Sequence, residues 1–153
     1  YALSDSDGYI WLLGRADDVL KIAGHRLGTM ELESAFVSHK SIAEAAVTSM
    51  PDEKKGESII AFVVLRTGFS VSDNLRRELV DYIRNAVGSI ATPKEIYFVN
   101  KLPKTRSGKI MRRLLKSIAN GATEIGDVTT VEDGTSLEEV RQAYNEMHKT
   151  SNP

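Results

Sequence analysis

The chain has 153 residues, 41% of them hydrophobic and 27% charged, with a formal net charge of −1, a balance that fits one globular domain and excludes a disordered chain. It contains no cysteine, which excludes disulfides, thiolate metal centres and cysteine nucleophiles; only three histidines remain for metal or base chemistry. No apolar run approaches the roughly 18 residues a membrane span needs and no signal-like start is present, so a cytoplasmic or organelle-matrix protein is expected. Tyr1-Ala2-Leu3 lacks an initiator methionine and begins close to an apparent strand, which points to a piece of a longer chain.

Asp7-Gly8 is a turn signal, and the β-branched and aromatic run at 9–13 reads as a strand. Val19-Leu20-Lys21-Ile22-Ala23 alternates as a half-exposed strand does, and 24–28 reads as a polar, flexible elbow. Thr29 has the form of an N-cap, followed by Glu31 and Glu33 in the first turn and by Leu32, Ala35, Phe36 and His39 at helical spacing. The apolar runs 42–49 and 58–65 predict strands, the second buried on both faces. Ser72 caps the clearest helix, striped by Leu75, Leu79, Tyr82 and Ile83 and stopped by Gly88; Arg84 lies on its polar face. A further strand spans 94–99, and Ile110, Leu114, Leu115 and Ile118 predict a short amphipathic helix. Beyond Gly121 the sequence is polar with only a weak helical stripe, so 122–153 reads as an extension packing loosely or on something absent. This order predicts a small α+β domain: a short N-terminal β-hairpin, then a mixed three-stranded sheet flanked by helices.

One stretch concentrates charge. Residues 101–116 carry seven Lys or Arg and no acidic residue. Within it, Pro103 extends the backbone, Gly108 permits a tight turn beside a ligand, and Ser107 can cap the helix that follows, which puts Lys109 where loop meets helix. Ser107-Gly108-Lys109 shares its residue types with the end of a phosphate-binding P-loop. The earlier glycine is missing, however, and Ile110 stands where Ser or Thr is required. Three readings stay open: a solvated charge face, a nucleic-acid contact, and a cation offered to a phosphate. Against nucleic acid, no aromatic side chain interleaves the charges. The histidines at 25, 39 and 148 lack metal-ligand spacing.

Gly14-Arg15-Ala16-Asp17-Asp18-Val19-Leu20-Lys21-Ile22-Ala23-Gly24-His25-Arg26-Leu27-Gly28 and Pro103-Lys104-Thr105-Arg106-Ser107-Gly108-Lys109-Ile110-Met111-Arg112-Arg113 resemble two signature motifs of the adenylate-forming enzymes. These are the acyl-CoA synthetases, luciferases and peptide-synthetase adenylation domains, and both motifs belong to their smaller C-terminal domain. The details at 24–39, 91–93 and 109–121 are especially similar to the AMP-forming acetyl-CoA synthetases. The resemblance implies a mobile C-terminal domain: 1–17 as the end of the interdomain linker and hinge, 18–121 as the catalytic lid, and 122–153 as an extension.

It also implies ATP with Mg2+ and CoA as substrates, with no tightly bound organic cofactor, and a missing N-terminal adenylation domain as partner. Neither nucleic acid nor membrane is expected as a partner. By the same resemblance Lys109 is the adenylation lysine, Asp17 the hinge, and Arg15 and Arg26 contacts to ATP or AMP. Ala23, Gly24 and Arg84 would contact CoA, Ala23 standing where related enzymes often have serine. Val37, His39 and Ile42 match a cation site that could use only backbone carbonyls here. Lys109 would be open to acetylation, with a protein lysine acetyltransferase and a sirtuin deacetylase as partners. The whole enzyme would be an acetate-CoA ligase, or alternatively another acyl-CoA synthetase or adenylation enzyme, of the cytoplasm or, in a eukaryote, of the mitochondrial matrix, and this piece alone would be inactive.

Overall fold

A computed structural model describes residues 2–4, 6–12 and 18–149. Two short strands, β1 (Ala2–Ser4) and β2 (Ile10–Leu12), pair antiparallel as a small sheet of their own. β3 (Val19–Ile22) folds back on β4 (His25–Gly28). The short N-terminal β-hairpin expected is the pair of β1 and β2, and one expectation is corrected here: the supposed elbow at 24–28 is the second arm of a further hairpin. Ala23 and Gly24 both take positive φ, 49° and 81°, as a two-residue hairpin turn requires. Alanine is an unusual residue for that conformation, which hid the turn in the sequence.

α1 (Thr29–Val37) follows β4 without a loop, so the cap position falls on Gly28 and Thr29 lies inside the helix. Thr29 Oγ1 is buried without a hydrogen-bond partner, so the expected cap is not made. β5 (Ile42–Asp52) and β6 (Gly56–Leu65) form a long antiparallel pair with a register shift between Ile42 and Glu44. α2 (Asp73–Val87) starts as expected, Ser72 accepting the Leu75 N–H at 3.0 Å. After a 3-10 turn at Ser89–Ala91, β7 (Glu95–Phe98) pairs parallel with β6. α3 (Arg112–Ala119) and α4 (Gly134–Lys149) complete the chain.

The main sheet is mixed and ordered β4-β3-β6-β5, with β7 beside the later part of β6. The three strands expected as its core are β5, β6 and β7; the β3–β4 hairpin widens the sheet to five through the bridge of Ile22 to Gly56. Helices cover both faces. On one, Leu32 and Phe36 of α1 and Leu79 and Ile83 of α2 meet Val47, Ile59, Ala61 and Val63. On the other, Leu114, Leu115 and Ile118 of α3 and Leu137 and Val140 of α4 meet Ile60, Phe62 and Tyr97. The even and odd residues of β6 thus serve two cores, which is why 58–63 is buried without interruption. Each large side chain sealed there contributes roughly 1.5–3 kcal/mol.

The C-terminal extension is corrected too. α4 is a 16-residue helix, and Leu137 and Val140 are buried in the second core rather than left for an absent surface.

Candidate functional site

The basic stretch forms a hairpin, with Lys104 bridged to Ile110. Gly108 N–H donates to the Thr105 carbonyl at 2.8 Å, and Thr105 N–H donates to the Lys109 carbonyl at 2.9 Å. This closes a three-residue loop over Arg106, Ser107 and Gly108, and such a loop needs its third residue left-handed. Gly108 has φ of 83°, and a Cβ there would meet nothing within 4 Å. The glycine is therefore demanded by backbone conformation rather than by crowding, and a side chain would cost roughly 1–2 kcal/mol.

Lys109 stands just past this turn and is exposed. It is not at a helix start, because Ile110 is used in the bridge, Met111 N–H donates to the Pro103 carbonyl at 2.9 Å, and α3 begins only at Arg112. Ser107 caps no helix; its hydroxyl lies 2.9 Å from that of Thr105, which also accepts the Lys109 N–H at 3.2 Å.

Long-range pairs sort the seven basic residues. Lys104 pairs with Glu44 of β5, Lys101 with Asp133 at 3.1 Å, and Lys116 with Glu57 at 3.9 Å. Arg112 grips Glu33 with two hydrogen bonds of 2.8 and 2.6 Å, and Arg113 donates to the carbonyls of Ile125 and Asp127. Among the described residues only Arg106 and Lys109 of the seven are left without an ion pair or such an anchor. The two cations without such a contact both lie on or next to this one turn. Glu44 and Asp133 are neighbours of the basic stretch that the sequence reading missed. Asp133 carried a signal: it precedes Gly134-Thr135-Ser136 and a helical stripe, in the manner of an N-cap.

A second exposed turn carries Ala23 and Gly24. Ala23 N–H donates to the Lys55 carbonyl at 2.8 Å, fixing the turn to the loop between β5 and β6, and a Cβ on Gly24 would meet nothing within 4 Å. Arg26, the second residue of β4, is exposed beside it. α2 runs antiparallel to its flanking parallel strands, so its last turn, with Arg84, returns to this end of the sheet. Arg84 is exposed and 3.9 Å from Asp81. Here Ile22, Lys55, Ile90, Thr92 and Lys94 border a pocket of about 210 Å³.

The two turns are far apart. The Gly24 hairpin joins β6 at Gly56, whereas the basic hairpin is tied through Glu44, which pairs with Val64 near the other end of β6. At ~3.3 Å per residue these attachment points lie about 25 Å apart. Arg15 and Asp17 lie outside the described residues.

His39 is buried, with Nδ1 2.8 Å from Ser41 Oγ and Nε2 2.9 Å from Glu78 Oε1. Its carbonyl accepts the Ile42 N–H, and the Ile42 carbonyl accepts Arg66 Nε at 2.9 Å. A cation on the carbonyls of Val37, His39 and Ile42 would share the Ile42 oxygen with that guanidinium, using its second lone pair beside an existing positive charge. Among the described residues no cluster of three or more His, Asp or Glu could hold a metal ion. Nor is any helix among them long and apolar enough to cross a membrane.

The family model for the AMP-binding enzyme C-terminal domain matches residues 31–109. The chain is 63% identical over 147 residues to an acetyl-coenzyme A synthetase of Pyrobaculum arsenaticum, covering 96% of this chain and 22% of that protein. It is 51% identical over 149 residues to a 3-hydroxypropionyl-coenzyme A synthetase of Metallosphaera sedula, covering 97% and 22%. Among solved structures, a Brucella canis acyl-CoA synthetase superposes with a TM-score of 0.64 at 41% identity, over 76% of this chain and 21% of that one. An anthranilate CoA ligase in complex with anthranoyl-AMP gives 0.69 at 36% identity, over 78% and 23%. The chain thus spans only about a fifth of the length of the relatives it matches.

Proposed function

The chain belongs to the AMP-binding enzyme C-terminal domain family, and on that premise we propose that it is the mobile lid of an AMP-forming acetate-CoA ligase. In the first step the acid's carboxylate attacks the α-phosphorus of magnesium-bound ATP, giving an acyl adenylate and releasing diphosphate. In the second the CoA thiolate attacks the acyl carbonyl, forming the thioester and releasing AMP. The observation that supports a lid is the separation of the two turns. One reaction centre cannot sit beside both Lys109 and Gly24 when their attachment points are about 25 Å apart along β6. A rotation of the domain, absorbed at Asp17 in a linker over 1–17, would present them in turn to an N-terminal adenylation domain.

In the first orientation Lys109 reaches the carboxylate and phosphate oxygens. A compact ammonium on a long stem suits that task, and Arg15 and Arg26 supply planar forks for ribose or phosphate oxygens in the course of the cycle. In the second orientation the Ala23-Gly24 turn borders the path of the CoA thiol, and Arg84 meets a CoA phosphate. Position 23 offers no side-chain hydroxyl, so any contact there is through backbone. Acetylation of exposed Lys109 by a lysine acetyltransferase would remove its charge and stop the first step, and a sirtuin deacetylase would restore it. The reading carries with it a cytoplasmic enzyme, or one of the mitochondrial matrix in a eukaryote.

In the full-length enzyme, Lys109→Ala is expected to lower acyl-adenylate formation on the order of a hundredfold or more, the scale of one lost oxyanion donor. Conversion of supplied acyl adenylate to acyl-CoA should persist. Unimpaired adenylation sinks the assignment.

The similarity to a 3-hydroxypropionyl-coenzyme A synthetase favours one second reading, that the parent enzyme takes another small acid. The acid pocket lies outside this domain on either reading. ATP–diphosphate exchange by the full-length enzyme with acetate, propionate and 3-hydroxypropionate separates the two, and the proposal expects acetate to give the highest kcat/KM.

A further inference from the structure

The basic hairpin is too small to hold its own position. Its arms share one bridge, Lys104 to Ile110, one three-residue loop and the bond from the Met111 N–H to the Pro103 carbonyl, and a lone two-stranded hairpin of that size is marginal in water. What completes it comes from the C-terminal extension. Thr105 is bridged antiparallel to Val131, and Glu132 N–H donates to the Lys104 carbonyl at 2.9 Å, so residues 131–132 lie along the hairpin as a third strand. Asp133 then ties this strand at two points. Its Oδ2 accepts Lys101 Nζ at 3.1 Å just ahead of the hairpin, and its Oδ1 accepts the Thr135 N–H at 3.0 Å and hydroxyl at 2.6 Å, capping the first turn of α4. α4 is seated by Leu137 and Val140 in the core it shares with α3. A continuous set of contacts therefore runs from the core, through α4 and Asp133, to the turn that presents Lys109.

We infer that Val131, Glu132 and Asp133 are positioning residues for acyl-adenylate formation, acting as a brace that fixes the base of the Lys109 side chain. The inference rests on the role proposed for Lys109. A flexible stem corrects small errors of position, but a shift of about 1 Å in a reacting group can cost on the order of a hundredfold in rate. The brace touches the basic hairpin, Lys101 just ahead of it and the start of α4, whereas the Gly24 turn is attached near the far end of β6. Its loss should therefore fall on one half-reaction and spare the other, which a general weakening of the fold would not do.

The test uses the full-length enzyme carrying Glu132→Pro. Proline removes the N–H that Lys104 accepts, and it favours the extended backbone that Val131 already has in its bridge. Glu132→Ala keeps the N–H and removes only an exposed side chain. Glu132→Pro is expected to speed hydrogen exchange at the amides of Thr105 and Gly108 by at least about tenfold and to slow adenylation by on the order of a hundredfold. The KM for ATP and the rate of thioester formation from supplied acyl adenylate should stay within about twofold, and Glu132→Ala should restore wild-type behaviour in every readout. Unchanged exchange overturns the brace, as does equal loss in both half-reactions. Faster exchange with unchanged adenylation overturns the functional half of the inference, and Lys109→Ala in the same assay reads separately whether the role proposed for Lys109 stands.

Discussion

At the scale of single residues, the main outcome is which cations remain available. Seven basic residues between 101 and 116 were legible as a cluster, and the family motif singled out Lys109 among them. What the sequence could not show is that the others are engaged, because the carboxylates concerned are distant in the chain: Glu44 is 60 residues from Lys104 and Glu33 is 79 from Arg112. Local hydrogen bonds set the acid behaviour of two aspartates. The hydroxyl of Ser58, then the N–H groups of Lys55 and Lys54, hold Asp52 down from 3.8 to about 2. The hydroxyl and N–H of Thr135, then Lys101, hold Asp133 down to about 2 as well. Both values are lower in the folded than in the unfolded chain, so each contribution to stability is complete above the unfolded value and is lost as pH falls from about 4 toward 2. The urea midpoint of the chain should therefore drop across that interval and be flat just above it. Asp52→Asn and Asp133→Asn should each shallow the drop; an unaltered profile in both would refute the assignment.

At the scale of elements, the pair formed by α1 and α3 shows why edges matter. β5 is an edge strand, and the N–H of Val47 is satisfied by Glu33 Oε1 at 2.9 Å instead of by another strand. Arg112 closes on the same carboxylate with both ends of its fork, joining helices that lie on opposite faces of the sheet. Arg112→Ala leaves a carboxylate that is only 11% exposed without its counter-charge, and urea unfolding should register a loss of about 3 kcal/mol. Arg112→Lys retains the charge but not the fork and should lose less. The elements best read from sequence were those with a local signature, such as α2 with its Ser72 cap and β6 with its apolar run. Misread elements depended on partners. Thr29 looked like a cap because nothing in the sequence reveals that β4 runs straight into α1. The extension looked loose because Leu137 and Val140 find their partners only once α3 and the sheet are in place.

At the scale of the whole molecule, two cores lie on one sheet, and one of the two motif turns is attached near each end of β6. The sequence identified both turns through the family motifs, but their separation is a property of topology: it follows from β3 meeting β6 at Gly56 and Glu44 meeting it at Val64. On the function proposed above, two turns so far apart would have to work in alternation, and alternation predicts opposite defects from changes at the two ends. Single-turnover rates of both half-reactions should be measured side by side in full-length Lys109→Ala and Gly24→Asn. Asparagine tolerates the φ of 81° at position 24 and has space around its Cβ in this domain, so its bulk is felt by what approaches the turn. The expected result is a crossed pattern: Lys109→Ala fails to make acyl adenylate yet converts supplied adenylate to thioester, while Gly24→Asn makes adenylate and is slow in thioester formation. Both variants failing in the same half-reaction would contradict the account.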